Sequence, residues 1–310
     1  MVRSHRAQGH RPWHEVATAT QHRAPHVERV TLALSRLERA ERADVHHLML
    51  ETTGRTMSDA EFEWFFDHNP VGEGIVWGAR EGGTLAGVLG TVFARALTPA
   101  GTERVAFPVH AATRAGSRQR GIFSQLELCS ERIASDAGAV VGIAFPNVTR
   151  STFVGRLGWS DLGAMRIWAR PLRLRGLLRR RRSGGLRAAR GDELDRFGEA
   201  HEQAWREVQP QWRNCVARDA AYLNWRYLES PRGYRAFAEG GSYAVVRHLV
   251  HRGVSAAVVC DLVGPPPVQR RLLRRCPTSR SDSRRPLCGS EWSERHFDRT
   301  PSCPEPGSSR

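Results

Sequence analysis

A mixed α/β fold, of the α/β or α+β class, is expected for this 310-residue chain. Three features of its first half point there. Apolar runs of strand length come first, an amphipathic helix with an abrupt start follows, and a continuous apolar run of strand length comes next. In order, residues 30–34 read as a strand and 38–50 as a helix whose buried positions are Leu37, Val45, Leu48 and Met49. Ser58-Asp-Ala-Glu61 is a capping-box start for a short helix over 59–66, stopped by Pro70. Residues 74–80 and 85–94 read as strands joined by Glu81-Gly82-Gly83, a hairpin signal, and 104–113 as the next strand.

The helix after that strand shows apolar Ile122, Leu126, Cys129 and Ile133 at steps of four, three and four, with Gly138 placed to end it. Residues 139–145 form an unbroken apolar run, expected as a buried strand. Pro146-Asn147 breaks it, a short helix is expected over 150–157, and Gly158-Trp159 leads to a last strand over 164–170.

Beyond an Arg-rich stretch, 192–208 and 222–228 read as helical, and 243–249 and 254–263 as strands. Phe62-Glu-Trp64-Phe-Phe66 with Pro70 superposes on Leu223-Asn-Trp225-Arg-Tyr227 with Pro231 at an offset of 161 residues. That weak repeat suggests two related domains, with the Trp residues as core packing. The expected organisation is a disordered extension over 1–27, a first domain over 28–170, a linker over 171–190, a truncated second copy over 191–264, and a disordered or out-of-frame tail over 265–310.

The net charge of +15 is unevenly placed. The chain has no Lys. Residues 1–27 carry +3, residues 166–190 carry +10 and residues 265–310 carry +5, which leaves the remainder at −3. A basic excess confined to ends and a linker argues against a folded phosphate-backbone surface, so nucleic acid is not the expected partner. The linker keeps one anionic-polymer alternative open, against a solvated segment whose Leu side chains rest on a domain. No uncharged run reaches the roughly 18–20 residues of a membrane span. The N-terminus lacks an apolar signal core, and the six Cys include no Cys-x-x-Cys. The expected setting is therefore the cytoplasm, without membrane, disulfide framework or zinc site. His10/His14 and His22/His26 have helical metal spacing but lie among Pro, with no acidic or Cys partner in that pattern, so no metal is expected.

The segment that carries chemistry is Arg118-Gln119-Arg120-Gly121-Ile122-Phe123, where a strand runs through a short loop into a helix start. The first turn of a helix leaves N–H groups unpaired at its positive dipole end, Gly permits close backbone approach, and Arg adds charge-assisted donors. The expected ligand is a pyrophosphate; a solvated helix cap is the alternative reading of the bare pattern.

Residues 112–126, Gly142-Ile-Ala-Phe-Pro-Asn147 and Arg156-Leu-Gly-Trp159 together resemble the GCN5-related N-acetyltransferase (GNAT) family over about residues 28–170. The resemblance implies a mostly antiparallel mixed sheet flanked by helices, with acetyl-CoA as co-substrate and an amine of a small molecule or protein as acceptor. It implies that Ala111, Ala112 and Thr113 present backbone to the acetyl-pantetheine arm and that Arg118, Gln119, Arg120, Gly121, Ile122 and Phe123 form the pyrophosphate loop. Phe123 stands where the family usually has Gly or Ala, and Arg114-Ala115 where a His/Asp-Pro is usual. The family's proton-donating Tyr has no counterpart between Asn147 and Trp159; Ser151 falls near its position. Asn147 at a strand end and His110 beside the thioester are the other catalytic candidates, against bland readings as a turn former and a packed strand histidine. Two further readings stay open: a degenerate acyl-CoA-binding scaffold without turnover, and the anionic-polymer binder.

Overall fold

The computed structural model describes residues 2–4, 32–146, 149–163, 193–251 and 254–276. The elements of the first unit are β1 (Val2–Ser4), β2 (Leu32–Arg36), α1 (Arg42–Thr53), α2 (Asp59–Phe62), β3 (Ile75–Glu81), β4 (Thr84–Thr98), β5 (Gly101–Thr113), α3 (Ile122–Asp136), β6 (Ala139–Ile143) and α4 (Arg150–Gly155). Those of the second are α5 (Glu199–Val208), β7 (Cys215–Val216), α6 (Ala220–Leu223), β8 (Tyr234–Glu239), β9 (Ser242–His251), β10 (Val254–Val263) and α7 (Pro266–Arg275).

The first sheet runs β1-β6-β5-β4-β3-β2 and is antiparallel except for the β5–β6 pair. Gly82 and Gly83, at φ +56° and +81°, make the β3–β4 turn that Glu81-Gly82-Gly83 signalled. The Ser58 capping box starts α2 as expected, and the chain then widens into a π turn over Glu63–Asp67. One face of the sheet packs on α1 through Val45 and Leu48, and on α2 and the turn after it through Phe62 and Phe66. The other packs on α3 through Ile122 and Leu126. A Cβ at Gly87 would lie 2.5 Å from Ile122 Cγ2, so the bare backbone of β4 is what lets α3 sit this close.

Several expectations are corrected. The buried face of α3 is Ile122, Leu126, Glu127, Ser130 and Ala134, not a stripe through Cys129 and Ile133. Ser130 turns inward because its hydroxyl meets that of Thr91 on β4 at 2.5 Å. The run over 139–145 is a strand only to Ile143, and Phe145 is 71% exposed. Val2–Ser4, inside the extension expected to be disordered, pairs antiparallel with β6 and covers its free edge. The last strand (164–170), the linker (171–190) and His10, His14, His22 and His26 fall outside the described residues.

In the second unit β8, β9 and β10 form an antiparallel sheet. β8 was not expected from the sequence. The segment expected as a tail beyond Gly264, in which only 268–275 could continue a helix, begins with α7, whose Leu272 is fully buried against Phe237, Ala244 and Val246. The packed chain therefore extends to Cys276; residues 277–310 lie outside the described set.

The two units share an order of elements. A short capped helix and a π turn at Asn224–Leu228 precede β8, just as α2 and its π turn precede β3. A Gly240-Gly241 turn at φ +56° and +82° matches Gly82-Gly83. The units meet at these π turns. Trp64 Nε1 donates to the Trp225 carbonyl (2.5 Å), Trp225 Nε1 donates to the Trp64 carbonyl (2.7 Å), and the rings stack at 5.5 Å. Such reciprocity is what two-fold-related surfaces produce. β7 adds to the outer end of β4, and Arg95 pairs with Asp219 beside it (2.6 Å).

Candidate active site

The site begins where the first sheet opens. Among the described residues β5 pairs with β6 only over Arg104–Ala106, and its remaining length to Thr113 has no described partner on that side. The β4–β5 register also slips there: Gly90 faces Val109 and Val88 faces Ala112, leaving His110 and Ala111 opposite Leu89 alone. This is a bulge, and His110 holds it at φ +52°, a conformation that side-chain-bearing residues rarely adopt. Bulges and left-handed residues re-aim a strand and concentrate at functional positions.

Beyond β5 the chain turns through Ala115–Ser117 and enters α3 with two left-handed residues, Gln119 (φ +63°) and Gly121 (φ +77°). The first intrahelical bond runs from the Gln125 N–H to the Gly121 carbonyl (3.1 Å). The N–H groups of Ile122, Phe123 and Ser124 therefore have no intrahelical acceptor and sit at the positive end of a helix of 15 residues.

A cleft of about 740 Å³ lies between these parts. Its walls are Thr52 and Thr53 at the end of α1, Ala111, Ala112 and Thr113 of β5, Ser117–Gly121 less Arg120, the first turn of α3, and Thr149, Ser151, Thr152 and Arg156 of the facing α4 segment. Arg118 is exposed at its mouth, its Nε donating to the Thr113 carbonyl (3.2 Å). The sequence candidates thus gather in one place, with three exceptions. Arg120 turns away to pair with Glu81 (2.8 Å), which also accepts from Ser117 Oγ (2.7 Å). Asn147 lies outside the described residues. His110 lines a separate small apolar cavity with Val45, Met49, Met57, Phe62 and Val88.

Phe123, unusual for such a loop, has a structural partner. Its ring meets Phe153 edge-on at 5.5 Å, and Phe153 packs on Trp159 at 4.8 Å. The bulky residue ties the start of α3 to α4 and fixes the width of the cleft between them.

The His110 ring lies edge-on to Phe65 at 5.5 Å and near Phe66 at 6.0 Å. Burial, and secondarily the positive charge of Arg232, push its imidazole down to about 4. It is neutral at physiological pH. Between its ordinary value of 6.5 and about 4, the unfolded chain takes up a proton that the native chain refuses. Native stability from this source is therefore lost as pH falls through that window. Urea unfolding at pH 7, 5.5 and 4.5 is expected to show the loss, and His110→Leu is expected to flatten it. An unchanged pH slope in the variant would remove the assignment.

Among its described residues the second unit has no such helix start. Only Gly264 and Pro265 separate β10 from α7, and α7 opens with Pro266 and Pro267. Proline has no N–H, so the donors that face the cleft at α3 have no counterpart there.

The comparisons agree with this geometry. A family model described as "Acetyltransferase (GNAT) domain" matches residues 34–161. Residues 34–161 are a GNAT domain. Over a longer span the fold is similar to that of a GCN5-related N-acetyltransferase from Kribbella flavida, with 15% identity, a TM-score of 0.51, and 79% of this chain and 60% of that one covered. It is also similar to a probable N-acyltransferase of unknown function from Enterococcus faecalis, with 9% identity, a TM-score of 0.51, and 79% and 61% covered. Both likenesses concern the fold, and this chain spans about three-fifths of each of those proteins. A comparison with curated proteins finds no match. Among the described residues no helix is long and apolar enough to cross a membrane, and no cluster of His, Cys, Asp or Glu could hold a metal ion.

Proposed function

We propose that the GNAT domain binds acetyl-coenzyme A in the β5–α3–α4 cleft and transfers the acetyl group to an amine. The observation that carries this reading is the unpaired first turn of α3, presented with Gly121 and Arg118 to a cleft beside an edge of β5 that has no partner among the described residues. Its donors and charge suit a pyrophosphate, and the bare strand edge suits an amide-bearing arm. Acetyl-coenzyme A, when bound, supplies the activated acetyl thioester.

The residues of the chain then have separable tasks. The N–H groups of Ile122, Phe123 and Ser124 neutralise the pyrophosphate, with the Arg118 guanidinium at the mouth. The backbone around the bulge at His110 and Ala111 holds the arm in register and offers N–H groups to a carbonyl oxygen that gains charge. Positioning two reactants in one cleft removes much of the entropic barrier to their meeting. His110 faces its own apolar cavity behind the bulge rather than the cleft, so its task is to hold the bulge, and the proton of the attacking amine passes to solvent. Ser151 Oγ, exposed to the cleft in the first turn of α4, can deliver a proton to a departing thiolate. We also assign the second unit to a related but loop-less copy of the same fold, which adds surface and no second cofactor cradle.

Thiol release from acetyl-coenzyme A is the test, run with a panel of amines on the full chain. Release that depends on amine and falls about tenfold in Ser151→Ala would fit a proton donor of this kind. Tight binding without release on any amine would instead favour the acyl-CoA-binding scaffold. The Arg-rich linker lies outside the described residues, and nothing in the described fold favours the polymer-binding alternative.

A further inference from the structure

Where the second unit meets the first, three arginines crowd one aromatic surface. Arg226 occupies the π-turn position equivalent to Phe65, and Arg247 lies directly across the β8–β9 pair from Tyr234. The Arg247 guanidinium is 5.3 Å from the Tyr234 ring and that of Arg226 is 5.7 Å from it. Arg232 stacks over Trp64 (5.1 Å) and Phe65 (5.5 Å).

The charges are poorly balanced. Glu61 accepts from Arg232 Nε at 3.3 Å. The polar neighbours of Arg226 are the phenols of Tyr234, Tyr222 and Tyr227 rather than carboxylates, and Asp261 is taken by Arg218 at 2.8 Å. Arg226 Nη1 and Arg247 Nε are buried with no hydrogen-bond partner among the described residues. Burial and repulsion from Arg226 and Arg247 press the Arg232 guanidinium below its ordinary value. Half-buried guanidinium groups that stand together and leave N–H groups unpaired are costly unless an anion joins them.

The cluster also touches the site. Arg232 packs on Phe65, the Phe65 ring meets His110, and His110 shares its bulge with Ala111 of the cleft wall. We infer that Arg226, Arg232 and Arg247 form a binding site for the anionic group, carboxylate or phosphate, of the acetyl acceptor. The acceptor is thus an amine that carries a negative charge. This role as an acceptor site rests on the acetyltransferase reading, whereas the anion site itself does not.

The test is calorimetric titration of the full chain, with and without coenzyme A, using two matched pairs at fixed ionic strength. The pairs are 4-aminobutanoate against 4-aminobutanamide and phosphoethanolamine against ethanolamine. At least one anionic member is expected to bind about tenfold or more tightly than its neutral match, and which one does so separates carboxylate from phosphate. Arg226→Gln and Arg247→Gln are each expected to erase that preference, while Arg247→Lys keeps most of it and acetyl-coenzyme A affinity is unchanged in all three. Equal binding of both members of each pair, or a preference that survives both Gln variants, would overturn the inference. Failure of acetyl-coenzyme A to bind would instead overturn the acetyltransferase reading and leave the anion site standing.

Discussion

Replacing Gly121 by Asp is expected to weaken acetyl-coenzyme A binding by about 100-fold, the equivalent of losing one or two charge-assisted hydrogen bonds. Gly121 caps α3 in a left-handed conformation at φ +77°, and an added Cβ would meet only Gln125 Nε2, at 4.0 Å. Space is therefore available, and Asp tolerates this backbone region better than most residues. The carboxylate would stand among the N–H groups of the first turn of α3, compete for them, and repel a pyrophosphate. Gly121→Ala shares the backbone strain without the charge, and a loss of only a few-fold is expected from it. Calorimetric titration of both variants checks this, with melting temperature as the control on folding. Equal losses in the two variants would show that strain, not charge, matters at this position.

Removal of either Trp at the contact between the units is expected to have the largest effect on stability. Trp64 and Trp225 are 3% and 4% exposed, and each holds the other's carbonyl. Trp64→Ala or Trp225→Ala should cost about 3–5 kcal/mol in urea unfolding, from lost burial and the cavity left behind. The double variant should cost less than both singles together by about 1–3 kcal/mol, because each single already breaks the shared stack and leaves a carbonyl unpaired. Strict additivity would mean that the two indoles stabilise their own units separately.

That contact also marks how far the sequence could be read. The 161-residue offset of the Trp motifs was visible, and reading both indoles as core packing was right about their burial. The reciprocal bonds across two units were not visible, since a repeat says nothing of how its copies face each other. Signals carried by local backbone chemistry were legible: the Ser58–Glu61 capping box, the paired-glycine turn, and the Gly121 helix start. Features set by distant contacts were not. β8 is six residues long with an Arg inside it, and Arg235 is accommodated by Glu193 (3.2 Å), 42 positions away. Ser130 is buried because Thr91 meets it, which no helical periodicity could announce.

In the site, the position of the loop at a helix start was legible from the motif, and that of Ser151 from the family resemblance alone, whereas the left-handed bulge at His110 was not. Nothing in Val-His-Ala-Ala announces an extra residue in a strand, and the bulge aligns His110 with Phe65 and Phe66 rather than with the cleft wall. The arginine cluster was hidden for a related reason. Arg226, Arg232 and Arg247 are scattered among the 47 Arg residues of the chain, and only the fold collects them.

One acetyl-coenzyme A site per chain is expected, formed by the first unit alone. Calorimetric titration of the full chain with acetyl-coenzyme A measures affinity and stoichiometry together. The expected result is saturable binding with one ligand per chain, because the Pro265-Pro266-Pro267 start of α7 cannot repeat the donors at the start of α3. Two ligands per chain, or no binding by well-folded protein, would contradict the account.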